Sequence, residues 1–424
     1  MVLARPAHFA TVLMRCLFLL AAASLVLSAT TVAALGLEDL RIVVFAGLFV
    51  TLVAGALALR PRFDASAVVA PSIALWLLML LAAIGQLSAQ ATTASLVDYK
   101  IALPILALLL APNLRAALGG ADLSRLVVRL GAAYIIATTV AALAAPSTTV
   151  LRGVAAHVRV DVTGSVVLHA SLATIIALVT AAALAQPRSA LRRALLLLVL
   201  AAAAWMVMLT GTRSAVLTLV VFAALWLSAG RLPELARPRV LGLAMVALAL
   251  FFLLSLLVSD SLWSRLIELG RTNYSSGRWP AIQHWLTLGA SRPFGLGLGA
   301  IRQLLAGGRP EIAGGHLLEW PHNELIRFYV EGGVLGVVLV LVLIFEVIRR
   351  ARRRAKATSD PVERVIVLAI AADMLVQCLL QNYFNSVYHA TVLLMILGML
   401  AAADEDPAEG RGSLSGPGRR LSLR

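Results

Sequence analysis

The side chains of this chain that could move a proton or hold an anion are few and unevenly spread. The stretch "PHNELIRFYVEGGVLG" (321–336) sets His322, Asn323, Glu324, Arg327 and Glu331 at the mouth of a long apolar run. A neutral imidazole at His322 could take a proton from an attacking sugar hydroxyl as the new bond forms. From residue chemistry alone, the commoner role of such a histidine is to sit at a membrane interface, held by hydrogen bonds. Glu324, Arg327 and Glu331 lie three and four apart, a spacing that suits ion pairs on a helix surface. With Pro321 in the first turn of a helix turning about 100° per residue, His322, Gly333 and Gly336 share an arc of about 60°. The two glycines would admit a neighbouring helix or a lipid tail on that face.

Arginine is the second chemical resource. Arg152, Arg159, Arg213, Arg265, Arg271, Arg278, Arg292, Arg302, Arg309 and Arg327 all fall on one side of the topology derived below. A guanidinium is a rigid donor fork that fits phosphate oxygens two at a time. A lipid-linked diphosphate at a membrane face would need such donors, although any single arginine could equally snorkel to lipid headgroups. Arg213 stands out because "TGTRSA" is a tight turn between two apolar runs. Arg41 and Lys100 lie near the same ends of their spans.

These groups must be positioned by elements of a membrane protein. The chain is 61% hydrophobic and 13% charged, with mean hydropathy +0.93, which excludes a soluble globular domain. An excess of 36 Lys+Arg over 21 Asp+Glu would suit a nucleic-acid partner. The placement argues against one, because most of the arginines occupy short loops, the positive-inside signature. About twelve spans are expected, near 9–31, 41–59, 65–85, 97–112, 126–145, 164–185, 193–210, 214–229, 239–258, 328–348, 363–380 and 383–403. With a cytoplasmic N-terminus, the basic loops 59–64, 113–125, 186–193, 230–239 and 349–356 all face inward. Residues 1–258 then hold spans one to nine, 328–403 hold spans ten to twelve, and 404–424 form a polar, disordered cytoplasmic tail.

Between them, 259–327 form one outer loop far longer than a usual connection. Within it, Trp279, Ile282, Trp285 and Leu286 recur at helical spacing behind Pro280, which predicts a short helix at the membrane interface. "GLGLG" (295–299) follows no strand of a βαβ unit and reads as a turn, not a nucleotide fingerprint. His284 and His316 are weaker candidates for a base than His322, lacking its glycine-lined face. Cys16 and Cys378 fall in apolar runs and are expected as free thiols.

The pattern His-Asn, nine residues, Gly, two residues, Gly is met by His322, Asn323, Gly333 and Gly336, and it resembles the signature of the O-antigen ligases. "SSGRWPAIQHW" with "SRPFGLGLGAI", and "LTGTRSAVLTL" (209–219), resemble patterns of the wider O-antigen ligase and polymerase group. The resemblance implies a GT-C-like fold with one large periplasmic loop carrying short helices, in the bacterial inner membrane. It implies transfer of a glycan from undecaprenyl diphosphate to a sugar hydroxyl of lipid A–core at the periplasmic face, without metal or other cofactor. It assigns the acceptor-activating role to His322 and diphosphate binding to Arg213 and Arg278. Arg159, in "HVRVDVTGS", is a looser match, and Arg265 is included on its loop position. Asn323, Gly333, Gly336 and Lys100 would support the site.

Direct attack by the acceptor would invert the anomeric centre, with preorganised guanidinium charge stabilising the departing diphosphate. Two rivals share the donor: an O-antigen polymerase, whose pattern usually has two large outer loops, and a protein O-oligosaccharyltransferase. A rival of another class is a flippase for lipid-linked sugar, which would need a charged path through the bilayer. The central parts of the spans read as almost free of ionisable groups, and the polar residues concentrate on one side.

Overall fold

The computed structural model describes residues 47, 50, 51, 54, 65–87, 99–118, 122–144, 150–152, 158–160, 166–210, 212–229, 278–308, 310–312 and 316–402. Among them the chain is almost entirely helical. In order, the helices are α1 (Ala65–Leu87), α2 (Ala102–Leu118), α3 (Leu123–Ala144), α4 (Val166–Leu184), α5 (Ala190–Thr210) and α6 (Arg213–Ser228). They continue as α7 (Arg278–Ala290), α8 (Ala300–Ala306), α9 (Glu324–Ala357), α10 (Pro361–Leu380) and α11 (Val387–Ala401). Two small antiparallel hairpins pair β1 (Val150–Arg152) with β2 (Val158–Val160), and β3 (Glu311–Ile312) with β4 (His316–Leu317).

Among the described residues, five segments are long and apolar enough to cross a bilayer: Val68–Gly85, Leu123–Leu143, Val166–Leu184, Ala190–Thr210 and Glu324–Ala357. Apolar helices α2, α6 and α11 are shorter. This is an all-α polytopic membrane protein. The expected spans from 65–85 to 214–229 and from 328–348 to 383–403 each coincide with a helix; most ends move by a few residues, while the helix expected at 328–348 runs on to Ala357. The expected spans 9–31 and 239–258, most of 41–59, loop residues 259–277 and the tail 404–424 lie outside the described residues.

α10 forms the axis of the bundle. It is buried along almost its whole length and packs against α9, α6, α4 and α11, while α2 lies against α11 and α5 against α4. Its start is fixed by sequence chemistry: the Asp360 carboxylate accepts the Val362 N–H at 3.0 Å, and Pro361 supplies the first helical φ. At the same end, Gln186 donates to Asp360 at 3.1 Å, which ties the α4–α5 turn to the α9–α10 turn.

Candidate active site

The segment leading into α9 differs from its sequence-based expectation. The helix begins at Glu324, and Asn323 is its cap, accepting the Ile326 N–H at 3.1 Å. The other end of the same amide donates to the Leu379 carbonyl at 2.8 Å, anchoring the cap to the end of α10. His322 therefore lies outside the helix. It is half-buried and adopts φ 47°, the one positive φ of a non-glycine residue in the described chain. That conformation is uncommon for a side chain with a Cβ and persists only when its surroundings hold it.

The second departure is at Gly333, with φ 56° and ψ −141°, where the helix is broken and resumes. The expected common face for His322, Gly333 and Gly336 is thus replaced by a cap at one point and a break at the other. A helix break inside a bilayer strands backbone polar groups, and they must be satisfied by protein. Here the loop 293–299 does so. Leu296 N–H donates to the Val330 carbonyl at 2.9 Å and Gly297 N–H to the Glu331 carbonyl at 2.8 Å. In return, Val334 N–H donates to the Pro293 carbonyl at 3.3 Å. The "PFGLGLG" run is a turn, as expected, but one built to plug a broken membrane helix. A Cβ at Gly333 would lie 1.9 Å from the Pro293 oxygen, and one at Gly297 would lie 2.3 Å from the Gly85 Cα on α1. Gly336 sits against the Phe328 carbonyl beneath the break.

Glu324, Arg327 and Glu331 are not surface pairs: all three are fully buried. The Arg327 guanidinium lies 3.5 Å from Glu324 and 3.3 Å from Glu331, and donates to the Asn385 amide oxygen at 3.0 Å. Glu324 in turn accepts the Phe384 N–H at 2.7 Å. The guanidinium also lies over the rings of Trp320 and Phe328, at 5.6 and 5.3 Å. One cation so joins the start of α9, the residue two before His322, and the α10–α11 connection.

α7 packs against α9 in this region. Its Trp285 is fully buried, in a cluster with Ala281, Ile301, Leu318 and Val330, and its indole N–H donates to the Glu319 carbonyl at 2.8 Å. The expected interfacial face is therefore divided. Trp279 and Leu286 remain exposed, while Trp285 turns inward to the polar partner that a buried indole requires. His284 is exposed.

Of the arginines expected at the diphosphate, Arg213 opens α6, Arg278 opens α7, and Arg159 pairs with Leu151 in the first hairpin, whose β2 strand lies against α5. Arg265 lies outside the described residues. α7 packs on α9, so the backbone at Arg278 belongs to the same substructure as His322. Lys100 precedes α2 and is half-buried.

A polar cluster that the sequence reading did not single out lies within the spans. The Asp373 carboxylate on α10 accepts the Ser171 hydroxyl from α4 and the Gln377 amide at 3.3 Å, and stands 3.3 Å from His389 Nε2 on α11. All four residues are buried. Nearby on α4, His169 Nδ1 and the Tyr134 hydroxyl of α3 are 2.9 Å apart. The expectation that the spans are almost free of ionisable groups is thus corrected at Asp373, His389 and His169. Windowed hydropathy averages single residues away, but an ionisable group inside a span is itself a signal. These groups lie toward the end of the bundle that carries His322. A small apolar cavity of about 90 Å³ opens between α3, α4 and α11, lined in part by Val127, Gly131, Ile176 and Ile396.

A comparison with the curated proteins gives no match. The family model described as O-antigen ligase matches residues 196–341, which include the α5–α6 turn at Arg213, the plug at 293–299, His322 and the break at Gly333. The part of the chain that builds this site is the part that this family model matches.

Proposed function

We propose that the chain is an O-antigen ligase: an inverting, metal-independent glycosyltransferase of the bacterial inner membrane with about twelve spans and a GT-C-like fold. It transfers a glycan from undecaprenyl diphosphate to a sugar hydroxyl of lipid A–core at the periplasmic face. The observation that carries this reading is the position of His322. Its imidazole is half-buried, outside the helix, on a backbone held at φ 47° beside a capped and ion-paired helix end. This is a fixed mount for a proton acceptor.

His322 takes the proton of the acceptor hydroxyl as its oxygen attacks the anomeric carbon. The bond to the diphosphate oxygen breaks from the opposite side. Arg213 and Arg278, with Arg159 and Arg265, hold the charge that develops on that leaving group. Asn323 fixes the mount through its bonds to Ile326 and Leu379. Gly333 and Gly336 shape the break beneath, and Lys100 adds positive charge.

The test is transfer by purified protein from lipid-linked glycan to lipid A–core, comparing wild type with His322→Ala and Arg278→Ala, with and without chelator. Loss of transfer in both variants, at wild-type folded yield and with no effect of chelator, is expected. Full activity of His322→Ala would remove the base. Lengthening of the lipid-linked glycan in place of transfer would make the chain a polymerase, and movement of the donor across vesicles without transfer a flippase.

A further inference from the structure

Among the described residues, the far end of α9 carries more positive charge than its neighbours neutralise. Arg349, Arg350, Arg352, Arg353, Arg354 and Lys356 fall in its last three turns. The nearby carboxylates among the described residues are already engaged. Glu346 holds Arg349 and Arg350, Glu363 holds Arg354 and the Thr358 hydroxyl, and Asp360 accepts from Val362 and Gln186. Arg352, Arg353 and Lys356 are exposed and make no ion pair among the described residues.

Two of these cations, Arg352 and Lys356, continue an apolar stripe. At about 100° per residue, Leu341, Phe345, Arg352 and Lys356 lie within about 60° of one another on the helix. Leu341 is 50% exposed and Phe345 64%, so this face of the span meets lipid. Arg352 lies about 10 Å further along the axis than Phe345, the step from acyl chains to headgroups. A face that is hydrocarbon-compatible below and carries Arg352 and Lys356 above, with Arg353 at its edge, matches a lipid with a negative head, not a neutral one.

We propose that this stripe binds an anionic phospholipid, with its phosphate among Arg352, Arg353 and Lys356 and an acyl chain along Phe345 and Leu341. The site is separate from the one proposed for glycosyl transfer and does not depend on that reading. Each cation near the surface is expected to raise occupancy roughly fivefold, and the effect should weaken as salt rises.

The test uses the full chain in nanodiscs of phosphatidylcholine with a minor fraction of phosphatidylglycerol, followed by native mass spectrometry to count retained lipid. Wild type is expected to retain phosphatidylglycerol at least tenfold better than the triple variant Arg352→Gln/Arg353→Gln/Lys356→Gln. The three side chains are exposed, so the variant should keep the wild-type melting temperature in detergent. Phe345→Ser should also reduce retention, and millimolar inorganic phosphate should not displace the lipid. Equal retention by wild type and triple variant would overturn the proposal, as would equal retention of phosphatidylcholine. Displacement by inorganic phosphate alone would reduce the site to one for a free anion and sink the lipid assignment.

Discussion

The Arg327 guanidinium donates to the Asn385 side-chain oxygen at 3.0 Å, across 58 residues of sequence, and both acidic partners of Arg327 lie on its own helix. The buried trio of Glu324, Arg327 and Glu331 thereby holds the α10–α11 connection to the start of α9. Removing the cation leaves two carboxylates uncompensated, whereas removing Asn385 costs one hydrogen bond. Arg327→Ala should therefore destabilise by about 3–5 kcal/mol, and Asn385→Ala by about 1.5–3 kcal/mol. Unfolding in detergent, followed by size-exclusion chromatography on heating, measures both. Equal melting temperatures for the two variants would contradict the argument.

Gly333 is irreplaceable on two counts, its positive φ and a Cβ that would collide with the Pro293 oxygen. Gly333→Ala should abolish folded yield or transfer. Gly307 provides the control, because a Cβ there meets nothing within 4 Å and its φ is −77°. Gly307→Ala should behave as wild type in both yield and transfer.

Asp373 and Ser171 come from helices far apart in sequence, and a double-mutant cycle isolates their contact. Ser171→Ala and Asp373→Asn should each lower the melting temperature, and the double variant should lose less than the sum. A coupling of at least about 0.5 kcal/mol is expected for residues in one buried network. Strict additivity would show that the helices are held by packing alone.

The α3 cap responds to pH. Partial burial of Asp122 would raise its carboxyl, but the Arg125 N–H, the Ser124 hydroxyl and the Arg125 and Arg115 guanidiniums outweigh this and hold it below its ordinary 3.8. A carboxyl depressed by folding stabilises at any pH above its unfolded value. That contribution is lost as pH falls through the lower folded value. Asp122→Ala should cost about 1 kcal/mol near neutrality as a lost cap, and the difference from wild type should start to shrink near pH 3.8 and vanish only as pH falls through the lower folded value, in melts across an acid series.

Much of the helical framework is legible in the residues alone. Apolar runs must become helices in a bilayer, since no water is present to satisfy their backbone. The described spans accordingly fall where hydropathy places them. The glycine-rich 295–299 could likewise be read as a turn, because its composition favours positive φ.

Periodicity, in contrast, assumes an uninterrupted helix. It put His322 on a shared face with Gly333 and Gly336, and tertiary structure decided otherwise. Asn323 finds the Leu379 carbonyl and starts the helix one residue later, and loop 293–299 makes a break at Gly333 affordable. The same holds for Glu324, Arg327 and Glu331, whose spacing permits a pair but carries no information on burial. Asn385 and Phe384, 58 and 60 residues from their partners Arg327 and Glu324, turn a surface pattern into an interior one. Hydropathy and spacing are local properties of the chain, whereas the partner that satisfies a buried charge or a broken helix comes from wherever the fold brings it.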